Sequence, residues 1–267
     1  MIVTVLGTGS QGNAIVVECD DDRILIDAGF PARTLVRRLR LAGIAPESIR
    51  AIVLTHAHGD HAYGARVAAR HFRWAVYATQ GTIDAMPELA SLSPVAISPR
   101  GTLQLDTLRI APLRIPHDCA EPIALRVEST ATGARLGVAY DLGHVPLAVE
   151  RALHDLDALI VESNHDEIML RNGPYPRSVQ QRISGAYGHL SNGAAARIVR
   201  RIANRDLRHV VLVHLSEQNN TADLARETVA RGLRGTDFRG ALTVAGQHAL
   251  TRLTVARTRR VEQMSLF

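Results

Sequence analysis

Lysine is absent from this 267-residue chain, so all 31 of its basic residues are arginine. Coding bias in a GC-rich genome accounts for the missing lysine most simply, but the consequence is chemical. A planar guanidinium binds two phosphate oxygens at once, and a net charge of +5 is compatible with a polyanionic substrate. Cysteine is nearly absent too. Cys19 and Cys119 form no CxxC pair and no disulfide pattern, which excludes a stapled secreted scaffold and points to a reducing cytoplasm. No apolar run approaches the roughly 20 residues of a membrane span. The stretch MIVTVLGTG lacks the basic region and long apolar core of a secretion signal. There is no low-complexity linker and no short-period repeat.

What is present is a globular composition, 46% hydrophobic and 21% charged, in a length that suits one domain over residues 1–256 with a basic tail at 257–267. Apolar β-branched runs predict strands at Ile2 to Leu6, Ala14 to Glu18, Arg23 to Asp27, Arg50 to Leu54, Trp74 to Tyr77 and Leu108 to Ala111. Further strands are expected at Ile123 to Glu128, Arg135 to Tyr140, Ala158 to Glu162, His209 to His214, Leu242 to Ala245 and Leu250 to Val255. Helices are expected at Ala32 to Leu41, Tyr63 to His71, Asn192 to Ala203 and Ala222 to Leu233. Strands and helices are mixed in each half, which implies two sheets packed together with helices outside, an α+β class. One decoy has to be removed. Gly7-Thr-Gly9-Ser-Gln-Gly12 is a literal GxGxxG after a strand, with Asp27 twenty residues beyond Gly7. A dinucleotide site needs a helix straight after the glycines. Asn13 to Glu18 reads as a strand instead, so the glycines are expected to form a tight turn.

The chemistry concentrates in residues 55–61, Thr-His-Ala-His-Gly-Asp-His. His56, His58, Asp60 and His61 fall within six consecutive positions, and converging imidazoles beside an anion are what a divalent metal requires. Histidines at i and i+2 do not share a helix face, so the reading places them on an extended turn after the strand. Asp60 and His61 then point at a second ion. More donors follow other strands: His117 in Pro116-His-Asp118, Asp141 in Ala139-Tyr-Asp-Leu-Gly143, and His214 at the end of His209-Val-Val-Leu-Val-His214. Sites in layered structures gather at such strand ends.

This ordered set resembles the metallo-β-lactamase superfamily over nearly the whole chain. The resemblance implies a four-layer αββα sandwich with metals at one edge of its two sheets. It implies that His56, His58 and His117 hold one divalent ion, that Asp60, His61 and His214 hold another, and that Asp141 bridges them. Zinc suits the imidazoles, and the carboxylates also admit manganese. Asp27, in Leu25-Ile-Asp-Ala-Gly29, matches the superfamily's first motif and would orient the metal loop from behind. Finer stretches are similar to the YycJ/WalJ branch, which contains bacterial DNA exonucleases. They are Gly9-Ser-Gln-Gly-Asn-Ala14, Glu162-Ser-Asn-His-Asp166, Gly173-Pro-Tyr-Pro176, Gly188-His-Leu-Ser-Asn192 and His214-Leu-Ser-Glu-Gln-Asn-Asn220. In related phosphodiesterases a histidine placed like His189 assists the leaving group; here it precedes a helix cap expected at Ser191 or Asn192. Asp60 would orient the nucleophile as well as hold a metal. Asn164 and His165 are candidate substrate contacts, His165 alternatively orienting Asp166. Arg197, Arg200, Arg201, Arg205 and Arg208 suit either a phosphate backbone or a solvated helix face. His71, His144, His154, His209 and His248 read as structural or surface residues.

The chain ends Gln263-Met-Ser-Leu-Phe267. This resembles the peptide by which bacterial replication and repair proteins bind the sliding clamp, with Met264 where leucine is commoner. Gln263 offers an amide, and Met264, Leu266 and Phe267 offer apolar anchors to preformed pockets. The alternative is a tail folded onto its own domain. The expected function is a dinuclear metal-dependent phosphodiesterase acting on DNA, a 5′-to-3′ exonuclease of replication or repair. Alternatives on the same site are an RNA-processing or small phosphodiester hydrolase, and an acyl hydrolase of lactones, thioesters or β-lactams.

Overall fold

A computed structural model describes residues 1–257, and the peptide carrying Gln263, Met264, Leu266 and Phe267 lies outside the described residues. Among the described residues, one sheet is built from β1 (Ile2–Gly7), β2 (Ala14–Cys19), β3 (Asp22–Ile26), β4 (Ala51–Val53), β5 (Ala75–Ala78), β6 (Val95–Ala96) and β14 (Thr251–Thr254), in the order β14-β1-β2-β3-β4-β5-β6. The other holds β7 (Leu103–Gln104), β8 (Leu108–Arg114), β9 (Ile123–Ser129), β10 (Arg135–Ala139), β11 (Ala158–Glu162), β12 (His209–Val213) and β13 (Ala241–Val244), in the order β13-β12-β11-β10-β9-β8-β7. The helices are α1 (Ala32–Leu41), α2 (Gly59–Ala62), α3 (Ala65–Phe72), α4 (Gln80–Ala85), α5 (Leu147–Ala152), α6 (Glu167–Asn172), α7 (Arg177–Ser184), α8 (Asn192–Ile202) and α9 (Ala222–Gly232).

Successive side chains of a strand point to opposite faces, and here both faces are apolar. From the first sheet Val3, Val5, Ile15, Val17, Ile24 and Ile26 meet Leu125, Val127, Val138, Ile160 and Val211 of the second in one central core. Their neighbours Leu6, Val16 and Leu25 turn outward to pack with Leu35 and Leu39 of α1 and Ala65, Ala68 and Ala69 of α3. On the far side Leu159, Val161, Val210 and Leu212 pack with Ala195, Ile198 and Val199 of α8 and Ala225 and Val229 of α9. Three apolar layers between four layers of structure make the αββα sandwich. No described helix is long and apolar enough to cross a membrane.

Within each sheet the strands nearest the functional residues are parallel, β3–β4–β5 in one and β10–β11–β12 in the other. Their carboxyl ends therefore point the same way. The glycine-rich turn leads into β2, not into a helix, which removes the dinucleotide motif, and Gly12 N donates to Gly9 O at 3.0 Å to close it.

The expected helix from Tyr63 to His71 needs correction. The chain forms α2 over Gly59–Ala62, then α3 over Ala65–Phe72, so Asp60 and His61 lie in a helical turn within the expected loop. Gly64 separates the two pieces because it runs against the backbone after β3: a Cβ there would lie 2.1 Å from Phe30 O. Gly29 is constrained likewise, since its Cβ would come within 1.7 Å of Asp60 O. The segment carrying Asp60 thus rests directly on the chain that follows β3. Helices α4, α5, α6 and α7 carry no long apolar period and were not anticipated; α7 buries no side chain at all.

Candidate metal centre

Most of the functional side chains leave the end of a strand. Asp27 follows β3, His56 and His58 follow β4, His117 follows β8, Asp141 follows β10, Glu162 ends β11 and His214 follows β12. Three of them, Asp27 (φ 60°), Asp141 (φ 54°) and His214 (φ 55°), adopt the left-handed conformation. For residues with a Cβ that conformation costs of order 1–3 kcal/mol. It turns the chain abruptly at the strand tip and throws the side chain over the sheet edge.

The structure brings the sequence-predicted donors together. His56, His58 and His117 form one cluster able to hold a metal ion, with His117 Nε2 3.2 Å from His58 Nδ1. Asp60, His61, Asp141 and His214 form a second, with His214 Nε2 3.2 Å from Asp60 Oδ2. A third combines Asp141 and His214 with Glu162 and His189. Six imidazoles close into a circuit, His56–His58–His117–His189–His214–His61, with adjacent ring centroids 4.1 to 5.6 Å apart. Asp141 touches His61 Nε2 and lies 2.5 Å from His214 Nδ1, 3.2 Å from His189 Nδ1 and 3.5 Å from His56 Nε2.

Charge follows from that geometry. Burial resists ionisation throughout, yet at His61 the anions of Asp141 and Asp27 outweigh it and raise the imidazole well above its usual range. Asp141 does the same for His214. Burial pushes Asp141 upward, and the charges of His214 and His61 more than reverse it, holding the carboxyl well below its usual value. His56, by contrast, is driven well down by burial and then by His61, and His117 is lowered chiefly by burial. Those two rings present neutral lone pairs, the form in which histidine binds a metal. Both oxygens of Asp141 and Nε2 of His56 lack a hydrogen-bond partner although buried. Unsatisfied buried groups cost about 1–3 kcal/mol each, and a divalent cation among imidazole nitrogens and carboxylate oxygens satisfies them together. The residues present fit such an ion.

Behind the clusters, Asp27 joins the two sheets. Its Oδ1 accepts from Thr55 N at 2.8 Å, and its Oδ2 accepts from Thr55 Oγ1 at 2.7 Å and Tyr140 Oη at 2.6 Å and contacts His61 Nδ1 at 2.7 Å. Asn13, from the glycine turn, donates to Asp60 O at 3.1 Å and lies 3.0 Å from His61 Nε2. Glu162 plays the matching part in the other sheet. It accepts from Leu142 N at 3.1 Å and Leu190 N at 3.0 Å, and meets His189 Nδ1 at 2.6 Å. Burial would lower the His189 pKa; Glu162 and then Asp141 override it and raise it to about 9.

Glu162, Tyr140 and Asn13 had no assigned role in the sequence, and neither did Asp118, whose Oδ1 stands 3.4 Å from His117 Nε2 and 3.6 Å from His58 Nε2. Glu162 ends an apolar strand as His214 does, so the same pattern carried the signal. His189 sits just before α8, which Ser191 caps by accepting from Ala194 N. Asn164 lines the site cavity while its Nδ2 donates to His214 O at 3.0 Å. No hydrogen bond joins His165 to Asp166 among the described residues, and the Asp166 carboxylate caps α6 through Ile168 N and Met169 N. In the arginine run, Arg200 donates to carbonyls of Gly232 and Arg234, and Arg201 pairs with Glu150 at 2.8 Å.

Residues 7–150 match the model of the metallo-beta-lactamase superfamily. The chain belongs to that superfamily of hydrolases. Within it the kinship is with the YycJ/WalJ-like enzymes: the chain is 31% identical over 239 residues to Exodeoxyribonuclease YycJ of Bacillus anthracis, across 88% of this chain and 90% of that one. It is 27% identical over 311 residues to Ribonuclease Z of Streptomyces coelicolor, across 96% and 98% of the two chains. The crystal structure of YhfI, a metallo-beta-lactamase fold protein from Bacillus subtilis, matches with a TM-score of 0.71 at 17% identity, over 94% of this chain and 98% of that one, a likeness of fold.

Tyr140→Phe tests the Asp27 junction. The change removes one donor to a buried carboxylate that keeps its Thr55 and His61 partners, so unfolding in urea should show a loss of about 1.5 kcal/mol. An unchanged midpoint would mean that the hydroxyl contributes nothing to the junction.

Proposed function

We propose that this enzyme is a dinuclear metal-dependent phosphodiesterase that trims DNA from the 5′ end, acting in the cytoplasm at sites of replication or repair. One observation carries the reading. Two donor clusters meet at Asp141, with His189 on their rim and Arg182 facing them across one cavity. On this reading His56, His58 and His117 hold one ion, Asp60, His61 and His214 hold the other, and Asp141 bridges. The imidazole-rich set suits zinc, and the carboxylates also admit manganese. When bound, the ions supply a water nucleophile activated near neutral pH and positive charge for the phosphoryl oxygens.

The chain's own residues do the rest. Asp60 orients the attacking water. With Nδ1 held by Glu162, His189 has Nε2 left to face the substrate, and its raised pKa keeps the ring protonated at neutral pH. It donates that proton to the departing sugar oxygen. Arg182 Nε, held by Asp118 Oδ2 at 2.6 Å, puts a guanidinium at the cavity wall where phosphate charge develops. Asp27 keeps His61 and the segment after β4 aimed at the site.

Likeness to an exodeoxyribonuclease supports DNA as the substrate, and likeness to a ribonuclease Z favours RNA processing as the second reading. The test is incubation of the metal-loaded protein with end-labelled duplex DNA, RNA of the same sequence, a chromogenic phosphodiester and a chromogenic β-lactam. DNA should shorten from its 5′ end. Cleavage of RNA alone would transfer the proposal to the second reading, and turnover of the β-lactam alone would end both.

Two substitutions separate metal holding from proton donation. His58→Ala should lower bound metal and abolish activity with the fold retained, whereas His189→Gln should keep the metal and lower kcat by roughly 10²–10⁴. Full activity of His58→Ala at reduced metal content would refute the ligand assignment.

Residues 257–267 we assign to recruitment. Gln263, Met264, Leu266 and Phe267 supply the contacts of a peptide that docks on the sliding clamp, leaving residues 1–256 as the catalytic unit. Removing Gln263 to Phe267 should abolish binding to purified clamp and leave hydrolysis of free DNA at its full rate. Clamp binding undiminished by the truncation would show that the peptide is not the docking element.

A further inference from the structure

His189 stands between two cavities. One, of about 330 Å³, contains Asp60, Asp141 and His214. The other, of about 450 Å³, lies between α6, α7 and the start of α8, and among the described residues His189 alone lines both. The second cavity falls in the size range of small-molecule sites, roughly 300–1,000 Å³.

Its walls carry groups without a structural task. His165 is 2% exposed, lines the cavity, and leaves Nδ1 without a hydrogen-bond partner. A buried ring nitrogen in that state costs free energy until something meets it. Arg171 and Arg197, reaching in from α6 and α8, make no ion pair or side-chain hydrogen bond among the described residues. Gln180 donates to Tyr175 O at 2.8 Å, which leaves its amide oxygen free to accept, and Gln181 beside it is exposed. The first turn of α8 holds no acidic side chain. Glu167, from α6, also lines the cavity, with Oε1 accepting from Ser191 Oγ at 2.8 Å. Two unpaired guanidiniums beside a floor of mixed donors and acceptors is the chemistry of a nucleotide: phosphate for the arginines, a base edge for the imidazole and amides.

We propose that this cavity holds the terminal nucleotide of a 5′-phosphorylated DNA end, with its base among His165, Gln180 and Gln181 and its phosphate against Arg171 and Arg197. The inference rests on the phosphodiesterase reading above and gives its 5′ terminus a binding place. As the water oxygen bonds to phosphorus, the P–O3′ bond breaks, its electron pair stays on O3′, and the proton on His189 passes to that oxygen. The nucleotide that owns O3′ therefore lies on the His189 side of the scissile phosphate, where this cavity opens. It departs as a nucleoside 5′-monophosphate with a new 3′-hydroxyl, and the shortened strand again begins with a 5′-phosphate. A cavity of about 450 Å³ has room for one nucleotide, as an exonucleolytic cut at the terminus requires.

The test compares the full-length protein with its Arg171→Ala/Arg197→Ala double variant, both side chains being exposed and dispensable to packing. The native protein should degrade 5′-phosphorylated duplex DNA with kcat/KM on the order of tenfold above the same duplex with a 5′-hydroxyl, and the variant should lose that preference. Calorimetric titration with deoxyadenosine 5′-monophosphate should show affinity weaker by about tenfold in the variant. Equal use of both ends by the native protein, or a variant that keeps both the preference and the affinity, overturns the proposal. A native protein that hydrolyses no DNA defeats the nuclease reading alone. The titration then decides the subsite: weakened binding in the variant upholds it, and unchanged binding overturns it.

Discussion

Asp141 is 1% exposed and carries two oxygens without a hydrogen-bond partner, and the edge of the sandwich is arranged around the needs of that carboxylate. An ionised group taken out of water costs several kcal/mol unless charge is brought to it. Here the charge comes from imidazoles on separate elements: His56 and His61 from the first sheet, His189 and His214 from the second. Those rings can meet only if both sheets present the carboxyl ends of parallel strands at one edge, which the parallel pairings in each sheet provide. The left-handed turns at Asp27, Asp141 and His214 are what that convergence costs the backbone. Without a metal, protons on His61 and His214 answer the anion. A divalent ion offers the same compensation in a fixed place and lets those rings act through lone pairs.

Two further buried carboxylates extend the logic outward. Asp27 and Glu162 each hold the back of a ring whose front faces the site; Asp27 also accepts one backbone amide, from Thr55, and Glu162 two, from Leu142 and Leu190. Asp27 thereby fixes the segment after β4 to the first sheet and, through Tyr140, to the second. Glu162 binds the loops before α5 and α8 to β11. The same contact that aims His189 also sets its charge, so orientation and acidity have one source. Under the proposed function, that one source is what would let His189 act as a proton donor at neutral pH.

The fold was legible wherever a strand ended in a donor. The heptapeptide at 55–61 and the residues His117, Asp141 and His214 all lay at predicted strand tips, and the structure gathers them. Glu162 obeyed the same rule yet went without a role, because a glutamate closing an apolar strand reads equally well as its solvent-facing end. Tyr140 could not be found locally: its hydroxyl serves a carboxylate 113 positions earlier in the chain. The helical turn carrying Asp60 and His61 reads as loop in the sequence because a four-residue helix leaves no periodic trace. Helix α7 escaped for a related reason. It buries nothing, so no apolar stripe exists to be read.

The arginines divide by what holds them. Arg38 lies under the first sheet, donating to Leu6 O at 2.7 Å with its guanidinium 4.2 Å from the Phe30 ring centroid, a burial that a delocalised cation tolerates better than an ammonium. On α8, Arg200 and Arg201 are committed to carbonyls and to Glu150, while Arg205 and Arg208 line a separate surface cavity with Asp206 and Asp237. Arg182, paired with Asp118, stands on the Asp60 and His214 side of His189, and Arg171 and Arg197, unpaired among the described residues, stand beyond it. Under the proposed function, a strand drawn along those three guanidiniums would pass His189.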